Sequence, residues 1–137
     1  MVIKIHRGQD QIGGSIVEIS TKTTKILIDF GEELSPHQEI DTALILKNTD
    51  AVFFTHYHGD HIGLYKNIPP NIPIYLGGTA KKIFTELVLR TDRKSLPLAE
   101  RFLELELLKI IQIHTENAKW FQEKYPHIAW SAAEFNA

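Results

Sequence analysis

Ala51-Val52-Phe53-Phe54-Thr55-His56-Tyr57-His58-Gly59-Asp60-His61-Ile62-Gly63 carries more chemical information than any other stretch of this chain. Its first four residues are a continuous apolar run closed by polar Thr55, the pattern of a short strand buried on both faces. His56 and His58 stand two residues apart, so in an extended segment both imidazoles project to one side and can meet one ion. Gly59 is expected to let the chain bend, which would direct Asp60 and His61 toward a second position nearby. Imidazoles combined with a carboxylate suit zinc, manganese or iron better than calcium. A single histidine in a polar loop needs no explanation, but three His and one Asp within six residues, directly behind a buried strand, point to a metal centre.

Outward from this stretch, strands alternate with helices. Val2 to His6, Ser15 to Ser20 and Lys25 to Asp29 read as strands, with Gly13-Gly14 serving a turn or a close approach and Thr21 to Thr24 a hairpin loop. Pro36 to Lys47 is expected to be helical, with Ser35 as N-cap and Pro36 in the first turn. Ile72 to Leu76 repeats the buried-strand pattern, and Thr79 to Arg90 carries Ala80, Ile83, Phe84, Leu87 and Val88 on one helical face. Ser95-Leu96-Pro97 opens a helix predicted to run to about Leu108, Ile110 to Ile113 reads as a short strand, and Thr115 caps a helix through Lys124. The expectation is an α/β (α+β) fold in a single domain over 1–137: an amino half (1–90), a helical connection (91–109) and a carboxyl-terminal strand and helix (110–137).

Ligands of open α/β sheets gather outside the carboxyl ends of strands. His56 stands at such a place, and so do Asp29 and His114. Asp29 reads either as a plain strand-ending turn or as a group that holds a ligand through hydrogen bonds. His114 reads either as a ligand or as a helix-flanking surface residue. His6, His37 and His127 are left out of the site, and Trp120 and Phe121 are assigned to the core.

Composition excludes several alternatives. The 137 residues are 43% hydrophobic and 23% charged, close to the globular average and unlike a disordered or collagenous chain. Fifteen basic against 17 acidic side chains give a net charge of -2, so no global positive field holds a polyanion. The absence of cysteine removes disulfides, thiolate zinc sites and a thiol nucleophile together, and it suits a reducing compartment. No long apolar run or signal-peptide pattern is present, so the expected location is cytoplasmic, with no membrane.

Asp29-Phe30-Gly31, Ile12-Gly13-Gly14-Ser15 and the HxHxDH motif together resemble the amino half of metallo-β-lactamase-fold hydrolases, in particular the ribonuclease J-like branch of RNA and DNA processing nucleases. Ile113-His114-Thr115-Glu116 with Trp120-Phe121 and Tyr125-Pro126 is similar to the carboxyl-terminal piece of that branch. The resemblance implies an αββα fold, here internally shortened, and one or two zinc ions, with manganese or iron as alternatives. It also implies an RNA or DNA substrate. His56, His58, Asp60, His61 and His114 map onto metal ligands, Asp60 is assigned a catalytic role as well, and Asp29 supports the ligands. The family's third His for the first ion and its bridging Asp have no counterpart: Leu89 to Lys109 holds no His, and its only Asp is Asp92.

Two functions therefore stay open: metal-dependent phosphodiester hydrolysis, or a metal-binding domain with little or no turnover. His56 and His58 would form a weak first position, with Asp60, His61 and His114 a stronger second one. A single sheet covered on one side would leave apolar residues of Ala51 to Phe54 and Ile72 to Leu76 exposed, so a homodimer is expected unless Leu96 to Leu108 covers them.

Overall fold

The computed structural model describes residues 1–34, 40–105 and 123. Two units are distinguished, Met1–Leu105 and Glu106–Ala137, and the elements described below belong to the first. The expected strand at Ile110 to Ile113, His114 and the helix from Thr115 lie outside the described residues, as do Ser35, Pro36, His37 and His127.

Among the described residues, six strands form one sheet in sequence order: β1 (Val2–Arg7), β2 (Ile16–Ser20), β3 (Lys25–Ile28), β4 (Ala51–Phe54), β5 (Ile74–Gly77) and β6 (Leu103–Leu105). The first three pair antiparallel, because short turns can join them, and Thr21 closes the second turn by accepting from the Thr24 amide at 3.1 Å. From β3 onward the pairing is parallel, as crossover connections require. Those connections carry α1 (Thr42–Leu46), α2 (Gly59–Ile62), α3 (Gly78–Thr91) and α4 (Leu96–Glu100).

The pleat sorts side chains between two unlike faces. Leu27, Val52, Phe54, Ile74 and Leu76 are at most 3% exposed and share one core with Phe84 and Val88 of α3, Ala99 of α4 and Phe102. The other face carries a cross-strand row, Ile5–Val17–Ile28–Phe53–Tyr75–Leu103, that spans the whole sheet. Its members are exposed or half-buried, and Phe53 stacks on Tyr75 with ring centroids 4.9 Å apart. The expectation that β4 is buried on both faces is thus corrected: Phe53 lies on the open side.

Three further expectations need correction. The first helix begins at Thr42, because Asp41 is its N-cap and accepts from the Leu44 amide at 3.0 Å; Ile40, which the longer helix would include, is not helical. On α3 the buried residues are Phe84 and Val88, whereas Ile83 and Leu87 are each 45% exposed. The helix predicted from Ser95 to about Leu108 ends at Glu100, and Leu103–Leu105 instead pairs with β5 as β6. Arg101 sets that reversal by donating to the carbonyls of Ile68, Pro69 and Ile72 at 2.8–3.0 Å. Leu103–Leu105 thus widens the sheet.

Candidate metal centre

Strand β4 delivers the chain to the carboxyl edge of the sheet, where Asp29, at the end of β3, organises the ligand-bearing segment. Asp29 is 3% exposed and sits at φ +60°, a left-handed conformation for which Asp is better suited than most residues. Its amide donates to Phe53 O at 2.8 Å, and its carboxylate accepts from the Thr55 amide at 2.8 Å, the Thr55 hydroxyl at 2.9 Å and His61 Nδ1 at 2.7 Å. Asp29 therefore ties the end of β3 to Thr55 and His61. Thr55 Oγ1 also lies 3.0 Å from His56 Nδ1. Since its only proton goes to Asp29, Thr55 accepts from that nitrogen. Both His56 and His61 are thus engaged through Nδ1, so that a neutral ring would present Nε2 to an ion.

His58 is extended and serves as the N-cap of α2, whose single turn places Asp60 and His61 beside His56. His56, His58 and Asp60 each offer a ligand atom within 4.8 Å of the others, and His61 Nε2 lies 3.6 Å from Asp60 Oδ2. The rings of His56 and His61 approach to 4.0 Å between centroids. Burial, reinforced by His61 and His58, pushes the His56 imidazole below its ordinary pKa, which favours the neutral form that ligates metal. Asp60 thus adjoins both expected positions. His6 pairs instead with Glu18 at 2.9 Å, away from the centre.

The turn at Gly59 owes nothing to glycine: its φ is not positive, and a Cβ there would meet no atom within 4 Å. Glycine matters where neighbouring loops touch the motif. Gly13 and Gly14 have φ of +85° and +67°, and a Cβ on Gly13 would lie 3.0 Å from Asp60 Cβ, so turn and close approach are both realised. A Cβ on Gly31 would lie 1.8 Å from the Asp60 carbonyl oxygen. Main-chain bonds lace these parts together: the amide of Ser15 donates to Asp60 O, that of Phe30 to His61 O and that of Glu32 to Gly59 O, at 2.9–3.0 Å.

Among the sequence-assigned residues, Asp29, His56, His58, Asp60 and His61 converge, and His114 lies outside the described residues. Thr55 was missed; its signal was the one polar residue between the apolar run and the first His. Asp29→Asn should lower metal affinity about 10–100-fold, as loss of a group orienting a metal-ligating His does. Competition with a chromophoric chelator measures this, and unchanged affinity would remove Asp29 from the ligand support.

Among the described residues, a mixed sheet with helices carries at its carboxyl edge a His-rich cluster of the kind that could hold a metal ion. Residues 10–111 match the family model described as the metallo-beta-lactamase superfamily, and the chain belongs to that superfamily. It is 30% identical over 129 residues to an RNase J-like protein of Methanocaldococcus jannaschii, covering 90% of this chain and 28% of that protein. A probable RNase of the same organism is 24% identical over 125 residues, covering 82% of this chain and 29% of that protein. The chain thus spans less than a third of the length of these curated relatives. Among solved structures, a protein of unknown function from Enterococcus faecalis shares the fold at TM-score 0.56 and 22% identity, covering 77% of this chain and 33% of that one.

Proposed function

We propose that this chain contributes a zinc centre to phosphodiester hydrolysis of RNA or DNA, with manganese or iron as alternative ions. The observation that carries the reading is the Asp29–Thr55–His61 network, which presents two imidazole Nε2 atoms beside Asp60 and His58. His56, His58, Asp60, His61 and His114 are the proposed ligands, with Asp29 supporting them. A bound divalent cation would supply Lewis acidity that generates a nucleophile from water near neutral pH. Asp60 is the proposed catalytic residue, its carboxylate placed to take a proton as water attacks. The names of the ribonuclease-like relatives support a nucleic-acid substrate. No helix among the described residues is long and apolar enough to cross a membrane, and the absence of cysteine supports a cytoplasmic setting. The second reading, metal binding with little turnover, is favoured by one observation: Leu89 to Lys109 contains no His for a further ligand.

Elemental analysis paired with cleavage of a single-stranded RNA oligonucleotide separates these readings. Hydrolysis that is lost with chelator and restored by Zn2+ or Mn2+ is expected; stoichiometric metal without hydrolysis selects the second reading, and no metal defeats both. Bound metal at 100 times its Kd adds about 2.7 kcal/mol of stability. That gain should fade below about pH 6.5, where imidazoles take up protons. The sign is the same without metal, because a depressed folded-state pKa at His56 means that the unfolded chain binds more protons as pH falls through that value.

The open face, with Ile3, Ile5 and Leu103 at 60%, 48% and 47% exposure, supports the proposed homodimer. Light scattering during size exclusion should give twice 15.7 kDa at micromolar concentration; a constant monomer mass defeats the dimer.

A further inference from the structure

Arg7 is an arginine that alternation alone would place on the open apolar face. Ile5 pairs with Val17 on that face, and two residues later Arg7 should follow it. A bulge between Ile5 and Arg7 shifts the register, so that Arg7 pairs with buried Ile16 and turns to the opposite side. There its side chain is 5% exposed. Nε donates to the Gly14 carbonyl at 2.9 Å, Nη2 donates to the Gly31 carbonyl, and Nη1 lies 3.4 Å from Glu33 Oε1.

The two carbonyls belong to the two loops that grip the metal-binding turn. One loop donates Ser15 N to Asp60 O and sets Gly13 against the Asp60 side chain; the other sets Gly31 against the Asp60 carbonyl and donates Glu32 N to Gly59 O. The loops also bond to each other, Gly31 N to Ser15 O at 3.0 Å. Resting on the metal-centre reading, we infer that Arg7 is a positioning residue for the Asp60 ligand: its planar fork spaces the two glycine loops, and the loops set where the Asp60 carboxylate stands. The charge is only part of this role. A guanidinium reaches two carbonyls in a fixed geometry, whereas an ammonium offers a point charge on a flexible stem.

Removing Arg7 alone would leave the half-buried Glu33 carboxylate without its cation, so the informative variants are the double Arg7→Met/Glu33→Gln and the single Arg7→Lys. Co2+ affinity and the visible Co2+ spectrum are measured for both, with amide hydrogen exchange of the metal-free proteins. The double variant should bind Co2+ about 10–100-fold more weakly with an altered spectrum. Its Ser15, Gly31 and Glu32 amides should exchange faster while Val52 in β4 keeps wild-type protection. Arg7→Lys should restore at most part of these properties. Full restoration by lysine would assign Arg7 to neutralising Glu33 and overturn the inference, as would unchanged affinity and exchange in the double variant. A wild type that takes up no Co2+ defeats the metal reading, and the exchange of the metal-free proteins then still decides whether Arg7 holds the Asp60 turn.

Discussion

Gly31→Ala is expected to lower metal affinity about 100-fold, the upper end of what loss of ligand support costs, while Gly59→Ala, inside the motif itself, leaves it unchanged. The new methyl at Gly31 would lie 1.8 Å from the carbonyl oxygen and 2.4 Å from the carbonyl carbon of Asp60. These are backbone atoms, so no side-chain rotation relieves the overlap, and α2 must move by more than an ångström. That movement breaks the bonds from Ser15 N to Asp60 O and from Phe30 N to His61 O, on which the placement of both side chains depends. Overpacking of this kind costs about 1–3 kcal/mol in stability besides its effect on the metal. Gly59 opens a helical turn with free space around it, where alanine is the better helix former. Chelator competition and thermal melting of the two variants measure the contrast; equal affinities would show that the Gly31 loop does not hold Asp60 in place.

Phe102→Ala should cost about 3–5 kcal/mol, the range for truncating a buried aromatic. Phe102 is 1% exposed and meets Phe54, Phe84 and Tyr65 with ring centroids 5.4, 5.6 and 5.8 Å away. Its loss leaves a cavity beneath α3 and α4 and releases the point from which β6 starts. Domain stabilities are only about 5–15 kcal/mol, so the variant should be partly unfolded at physiological temperature. Leu98, 36% exposed on α4, is the matched control, and Leu98→Ala should stay within about 0.5 kcal/mol of wild type. Urea denaturation compares them. A longer helix carrying Leu98 and Phe102 on one buried face would make the two losses similar, whereas the observed break at Glu100 makes them unlike.

That contrast shows where local pattern ceases to be informative. Leu96 to Leu108 has helical spacing of apolar residues, and nothing within it announces that Arg101 will be captured by carbonyls some 30 residues earlier. The same holds for Ile83 and Leu87, which complete an amphipathic face in sequence but are each 45% exposed on α3. At α1, Asp41 caps the helix by accepting from the Leu44 amide, a bond that the apolar spacing of the sequence did not single out.

Local pattern was enough to place the strands around the motif, to group His56, His58, Asp60 and His61, and to indicate the superfamily. Apolar runs and two-residue ligand spacing are local properties that the backbone period translates directly into direction. Contacts between distant segments settle which groups hold those side chains. Thr55 bridges Asp29 to His56, Gly31 makes room for the Asp60 carbonyl, and a one-residue bulge turns Arg7 away from the face its position in the strand would choose. Each of these depends on contact between segments far apart in the chain, where close packing and the pairing of buried polar groups set the outcome and no local period records it.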